Sequence, residues 1–159
     1  MKTIVIGLGN PILTDDGVGV LVAYQVANHL ATKKPIPDVK VTEASVGGLR
    51  LMELMNGYDR AILIDALKLK NENNPGRIHR MTLDDLKLIS PTQHSASAHD
   101  TSLVTALEAG QLLGMYMPDE IIIFAIEVEN IIDFSDQPTQ LVAEAIPSVT
   151  TAVLNELSL

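Results

Sequence analysis

The stretch Thr3–Gly19, TIVIGLGNPILTDDGVG, constrains the fold more than any other part of the chain. Its opening apolar run predicts a buried strand, and Gly-Asn-Pro predicts a tight turn directly after it. Two adjacent carboxylates follow, Asp15 and Asp16. A helical pattern then covers about Asp16–Ala31, which Thr14 or Asp15 can cap. Strand, turn, acids and helix are the first half of a βαβ unit with a charged site at the carboxyl end of the strand.

Composition narrows the classes of function. The chain has 159 residues, the length of one domain, so a single domain over 1–159 is predicted. A net charge of −9 disfavours nucleic acid and anionic membranes as partners. The absence of cysteine excludes a disulfide framework, a thiolate metal site and a cysteine nucleophile. No signal peptide or membrane span is predicted, and the lack of cysteine fits a reducing cytoplasm, so we expect a cytoplasmic protein. A monomer is the default expectation, because nothing in the sequence indicates an obligate dimer.

The rest of the chain alternates strand and helix patterns. Strands are predicted over Val39–Ala44, Arg60–Leu67, Arg77–Met81 and Glu120–Val128, and a last helix from near Pro138 through Pro147, with a kink there. The polar face of Val39–Ala44 places it near a sheet edge. The order predicts a three-layer α/β/α domain with a twisted, mainly parallel sheet of about five strands, of the phosphorylase/hydrolase-like type.

Acidic residues follow several of these predicted strands. Ligands of such sheets gather at the carboxyl ends of the strands, where Asp15, Asp16, Asp65, Glu127 and Glu129 are expected. Asp65 ends a continuous apolar run, and desolvating an unpaired carboxylate costs several kcal/mol, so a partner or a ligand is expected there. Asp16 is open to two interpretations, as a helix cap or as a metal ligand or catalytic acid.

Two of the four histidines, His94 and His99, share a loop that can fold over this edge. His99 directly precedes Asp100 and Thr101, the predicted helix caps, so the helix dipole there favours a neutral imidazole that can bind a metal. His29 and His79 are predicted to be surface residues.

Asp16, Asp65 and His99 together offer two carboxylates and one imidazole on three separate loops. Such a set leaves metal coordination positions open for substrate or water, and it admits Zn, Ni, Mn or Fe. No organic cofactor is predicted, because the Gly7-Leu8-Gly9 sequence lacks the third glycine of a dinucleotide fingerprint. A serine hydrolase is disfavoured, since no G-x-S-x-G elbow is present.

Three motifs resemble the nickel-iron hydrogenase maturation proteases: Gly7–Gly19, I-L-I-D-A at Ile62–Ala66, and the S-x-S-x-H-D-x-x-L run ending at Leu103. The resemblance implies an endopeptidase that removes the C-terminal extension of the hydrogenase large-subunit precursor after nickel insertion. It implies that Asp16, Asp65 and His99 are both the catalytic residues and the ligands that recognise nickel, which the precursor supplies. It leaves aspartic-type and metal-assisted hydrolysis both open.

The chain departs from that family at two places. The family often has Glu where Asp16 stands, and its Asp-Gly-Gly-Thr loop is replaced here by Glu43–Gly48, which suggests a different class of hydrogenase partner and leaves a substrate contact by Glu43 open. Two alternatives remain. A peptidyl-tRNA hydrolase shares the G-L-G-N-P opening but needs a basic face. A non-enzymatic, flavodoxin-like metal- or ligand-binding domain would tolerate neutral replacement of Asp65 or His99 without loss of any cleavage.

Overall fold

The structure, a computed structural model, describes residues 1–33, 35–45, 48–89 and 98–158, with 87, 89 and 98–102 described by their backbone alone. The strands are β1 (Thr3–Leu8), β2 (Val39–Ala44), β3 (Arg60–Leu67), β4 (Ile78–Thr82) and β5 (Glu120–Glu127). The helices are α1 (Val18–Thr32), α2 (Leu49–Met55), α3 (Leu83–Ile89), α4 (Ala98–Leu112) and α5 (Gln140–Ser158). No helix of this described part is long and apolar enough to cross a membrane.

The five strands form one sheet in the order β2-β1-β3-β5-β4. β1, β2, β3 and β5 run parallel, and β4 is antiparallel to β5. The predicted mainly parallel sheet of about five strands is therefore confirmed, as is the edge position of β2. Every residue of β3 is buried, as its continuous apolar run predicts for a central strand.

Helices cover both faces of the sheet. On one face, α1 packs against β1 and β3 and α5 packs against β5, through an aliphatic core that includes Val22, Ile62 and Val149. On the other face, α2 and α4 pack through a core that includes Leu51 and Leu107. The three-layer prediction is confirmed, because side chains alternate between the two faces of each strand and both sets are apolar.

The start of α1 differs from the prediction. A 3-10 helix over Thr14–Gly17, here called the acidic turn, precedes it, and α1 itself begins at Val18. Gly17 is the residue at the N-cap, and no side chain caps the helix. The predicted cap by Thr14 or Asp15 is wrong, because the Thr14 hydroxyl donates to the carbonyl of Asp133 and the Asp15 carboxylate binds other backbone groups.

Glycines allow α1 to lie directly on the ends of two strands. A Cβ on Gly19 would stand 2.2 Å from the carbonyl oxygen of Ile64 and 2.6 Å from that of Leu8. A Cβ on Gly7 would stand 2.4 Å from the carbonyl oxygen of Gly19. Only glycine permits this approach, and it brings the acidic turn against β3.

The starts of α5 and α4 also bear on the sequence predictions. α5 begins at Gln140 and continues through Pro147, as predicted. α4 begins at Ala98, so His99 and Asp100 lie inside its first turn. Thr101 follows them in the same turn, so the prediction that Asp100 or Thr101 caps this helix is wrong.

Candidate active site

The carboxyl ends of β1 and β3 meet where the chain changes direction across the sheet. From β1 the chain passes through α1 to β2 on one side, and then through α2, on the opposite face, to β3 on the other side. Parallel sheets open a crevice at such a switch point, and ligands bind there. Asp16 lies in the acidic turn that follows β1, and Asp65 lies near the end of β3.

The turn after β1 wraps around Asp16. The backbone N–H of Asn10 donates to Oδ2 of Asp16 at 2.8 Å. Gly9 has a φ of +122°, and a Cβ there would stand 1.9 Å from the Asp16 carbonyl oxygen. Asp16 is partly buried and its carboxylate is held by this turn, so the helix-cap interpretation is wrong and the interpretation as a ligand or acid stays a prediction.

Asp65 is a buried carboxylate in a strand that is otherwise apolar beyond Arg60. Asp65 is only 6% exposed, and its Oδ1 accepts a hydrogen bond from the N–H of Ala66 at 2.8 Å. The preceding residue, Ile64, pairs with Gly7 of β1, which places Asp65 beside the Gly-Asn-Pro turn. Burial at a crevice keeps water away from this carboxylate and strengthens its electrostatic interactions.

Asp15 does not share the role of its neighbour. It is fully buried, and its Oδ2 accepts hydrogen bonds from the N–H groups of Glu129 and Asn130 at 3.0 and 2.9 Å. Its Oδ1 accepts from the N–H of Thr139 at 2.7 Å, and the Thr139 hydroxyl donates to both oxygens. Asp15 therefore ties the acidic turn to the loop between β5 and α5.

Glu127 is also a buried residue whose carboxylate binds neighbouring groups of the fold. Its side chain is fully buried, lies 2.8 Å from Nε2 of His79, and accepts from the N–H of Asn74 at 3.0 Å. Nε of Arg77 lies 3.7 Å from the same carboxylate. The prediction that His79 is a plain surface residue is wrong, because its side chain is 28% exposed and pairs with this buried acid. Glu129, by contrast, is exposed.

The direction of α4 brings His99 towards the carboxyl edge. Leu107 and Gln111, in the second half of α4, line a cleft together with Ile121 at the amino end of β5. The helix therefore runs back along the sheet, and its 15 residues span about 22 Å. The first turn, with His99 as its second residue, then lies at the opposite, carboxyl edge. The side chain of His99 and all of His94 lie outside the described residues.

Glu43, at the carboxyl end of β2, accepts a hydrogen bond from the hydroxyl of Tyr24 on α1. This hydrogen bond, with the negative charge of Glu43, raises the pKa of the Tyr24 phenol above its usual value. Both residues are exposed. A substrate contact by Glu43 stays a prediction.

No cluster of three or more His, Asp or Glu side chains able to hold a metal occurs within the described part of the chain. The His99 imidazole, the third member of the predicted set, lies outside the described residues. Asp16 and Asp65 lie at the carboxyl edge of the sheet, and the direction of α4 puts the backbone of His99 at the same edge.

The family model for hydrogenase maturation proteases of the HycI type matches residues 22–156. The chain belongs to this family. The matched segment contains Asp65 and His99 and begins after Asp16. This membership confirms the predicted family and the predicted hydrolase class, and it argues against the peptidyl-tRNA hydrolase and the non-enzymatic alternatives.

Individual relatives agree with the family assignment. The protease is 29% identical over 117 residues to the hydrogenase 2 maturation protease of Escherichia coli (strain K12), covering 73% of this chain and 67% of that one. It is 26% identical over 155 residues to the hydrogenase expression/formation protein HupD of Rhizobium leguminosarum bv. viciae, covering 96% and 72%. The second match is long enough to include position 16.

Solved structures share the fold. The hydrogenase maturating endopeptidase HybD from E. coli superposes with a TM-score of 0.79 at 23% identity, over 99% of this chain and 93% of that one. The [NiFe] hydrogenase maturation protease HybD from Thermococcus kodakarensis superposes with a TM-score of 0.75 at 20% identity, over 99% of each chain. The α/β architecture of the protease is thus that of these maturation enzymes.

Proposed function

We propose that the protease removes the C-terminal extension of a nickel-iron hydrogenase large-subunit precursor after nickel has been inserted. It does so as a cytoplasmic monomer. Nickel is part of the substrate in this proposal, and Asp16, Asp65 and His99 recognise it. The observation that carries the proposal is the convergence of Asp16 and Asp65 on the switch point between β1 and β3.

The chemistry of the three side chains suits this role. Carboxylate oxygen and imidazole nitrogen are ligands that divalent nickel accepts, and three protein ligands leave positions open for the precursor's own groups. Asp16 is held by the Asn10 N–H, which keeps one carboxylate oxygen oriented while the other remains available to a ligand. A site built this way binds nickel through the precursor and need not retain it after product release.

Hydrolysis requires a water molecule, a base and a proton for the leaving amine. When the nickel of the precursor is bound at the switch point, the scissile peptide bond of the precursor lies next to the carboxylates of Asp16 and Asp65. One carboxylate takes a proton from water as the water oxygen attacks the scissile carbonyl carbon, and it returns that proton to the departing amine nitrogen. Nickel orients the bond and can also polarise its carbonyl.

The proposal is tested by mixing the protease with nickel-loaded and nickel-free precursor and following loss of the C-terminal extension by mass spectrometry. We expect cleavage of the nickel-loaded precursor alone. Cleavage of both forms would support the proposed peptidase activity but contradict the proposed recognition of nickel. Failure to cleave an authenticated, nickel-loaded cognate precursor would overturn the proposed substrate.

A further inference from the structure

Three large apolar side chains are exposed beside the acidic turn. Ile12 is 55% exposed, and Ile132 and Phe134 are each 81% exposed. The chain has two phenylalanines, and the other, Phe124, is in the core. In a domain whose core is aliphatic, a phenylalanine left in water next to a candidate active site indicates an interaction surface.

Backbone hydrogen bonds join the two segments that carry Ile12 and Phe134. The N–H of Ser135 donates to the carbonyl of Ile12 at 3.0 Å, and the N–H of Thr14 donates to the carbonyl of Ser135 at 2.9 Å. They form a parallel bridge between Leu13 and Ser135. The register of that bridge sets Phe134 opposite Ile12, so their side chains emerge on the same face.

Ile132 is fixed in the same loop. The side-chain oxygen of Asn130 accepts hydrogen bonds from the N–H groups of Ile132 and Asp133, each at 3.1 Å. The Asn130 N–H is in turn bound by the buried Asp15 carboxylate. The three apolar side chains, here called the Ile12–Phe134 surface, are therefore displayed on a backbone that is already ordered, which lowers the entropic cost of binding.

A cleft lies beside this surface, on the loop between β5 and α5. It has a volume of about 400 Å³, and its lining includes Ile131, Ile132, Thr139, Lys68, Glu129 and Asp133. Lys68 follows β3 directly, three residues beyond Asp65. Thr139 binds Asp15, the neighbour of Asp16. A polypeptide lying in the cleft would thus run along the loop that Asp15 ties to the acidic turn.

The charge around the cleft selects the kind of polypeptide. Glu129, Asp133 and Asp136 are exposed acids on its loop. The nearest cation, Lys68, already donates to the carbonyl of Glu129 at 2.6 Å. With a net charge of −9 on the whole chain, the surface attracts basic segments and repels acidic ones.

We propose that Ile12, Ile132 and Phe134 form a docking surface for a segment of the precursor that combines an apolar side chain with neighbouring basic residues. This inference rests on the proposed function and names the part of the substrate that the protease reads outside the metal site. The apolar side chain packs against Phe134 and Ile132, and the basic residues face Glu129 and Asp136.

The test compares Ile132→Ser/Phe134→Ser with a matched control, Leu112→Ser/Leu113→Ser. The control residues are also exposed, 89% and 68%, but lie at the far end of α4. We expect the Ile132/Phe134 variant to raise both the Kd for nickel-loaded precursor and the KM for its cleavage by at least about tenfold, with kcat within about twofold of wild type. The control variant should change none of the three.

The possible outcomes separate the two proposals. An unchanged Kd in the Ile132/Phe134 variant would overturn the docking surface, even if the wild-type protease cleaves the precursor. Absence of cleavage by the wild-type protease would overturn the proposed function, while the Kd comparison still tests the docking surface.

Charge and self-association provide two further readouts. Glu129→Gln/Asp136→Asn should weaken precursor binding at low ionic strength and approach the wild-type Kd near roughly 0.5 M salt, where surface charges are screened. If this variant binds the precursor as tightly as wild type does at low ionic strength, the docked segment is not basic and that part of the proposal is overturned.

A wild-type dimer in sedimentation that Phe134→Ser converts to monomer would overturn the precursor as occupant, because a second copy of the chain would then cover the surface.

Discussion

Asp15 and Asp16 are adjacent carboxylates with opposite environments. Asp15 is fully buried and accepts hydrogen bonds from three backbone N–H groups and one hydroxyl. Asp16 is partly buried and accepts from the N–H of Asn10. Hydrogen bonds to a buried ionised group are strong, and losing them leaves donors unsatisfied. Asp15 therefore stabilises the fold, while the role of Asp16 as a ligand or catalytic acid stays a prediction.

Asp15→Asn should lower the free energy of unfolding by about 2–4 kcal/mol, because an amide nitrogen would face backbone N–H donors. Chemical denaturation at neutral pH measures this. Asp16→Asn is the matched control, expected to change the free energy of unfolding by less than about 1 kcal/mol while abolishing cleavage. Equal losses of stability in the two variants would contradict this division of roles.

At the scale of secondary structure, burial decides what a sequence pattern reveals. β3 is buried on both faces, so its apolar run is continuous and its bounds, Arg60–Leu67, were predictable. The acidic turn was not, because local sequence does not distinguish a cap from a 3-10 helix. The partners of Asp15 are 114 to 124 residues away along the chain, beyond any local pattern. Strand ends thus predicted the positions of Asp16 and Asp65, but not the different role of Asp15.

The packing of α1 on β1 and β3 should fail when its glycines are replaced. Gly19→Ala places a Cβ within 2.2 Å of a strand carbonyl oxygen and is expected to cost more than about 3 kcal/mol of stability and to displace the acidic turn. Gly114→Ala, where a Cβ meets no atom within 4 Å but φ is +72°, should cost only about 1 kcal/mol. Thermal unfolding of both variants tests this, and equal melting temperatures would refute it.

Over the whole molecule, an ion-pair network joins the amino edge of the sheet to α5. Glu156 accepts from Nη2 of Arg60 at 2.6 Å and from Nε of Arg80 at 2.9 Å. Nε of Arg60 lies 3.3 Å from Glu120, an ion-pair distance without hydrogen-bond geometry. This network lies at the edge opposite the candidate site, so it can be altered without touching the predicted catalytic residues.

Hydrogen bonds from Arg80, with the charges of Arg80 and Arg60, hold the pKa of Glu156 below its usual value. A folded-state pKa below the unfolded one contributes stability at neutral pH that is lost as the pH falls through the folded pKa. Glu156→Gln should therefore lower the free energy of unfolding by about 2–4 kcal/mol at pH 7, and by progressively less as the pH falls below the usual pKa of a glutamate. Glu144→Gln, on the exposed side of α5, is the control. A pH-independent difference would contradict this account.

Peptide cleavage is proposed to occur at the carboxyl edge of the sheet, with Asp16, Asp65 and His99 as the reacting and metal-recognising residues. The most direct measurement is kcat/KM on nickel-loaded precursor for Asp16→Asn, Asp65→Asn and His99→Ala, with the fold of each variant verified by circular dichroism. Each folded variant is expected to lose at least about a hundredfold in kcat/KM, since each substitution removes a proposed ligand or base from the reacting centre. A folded Asp65→Asn variant that cleaves within about threefold of the wild-type rate would place the active site elsewhere.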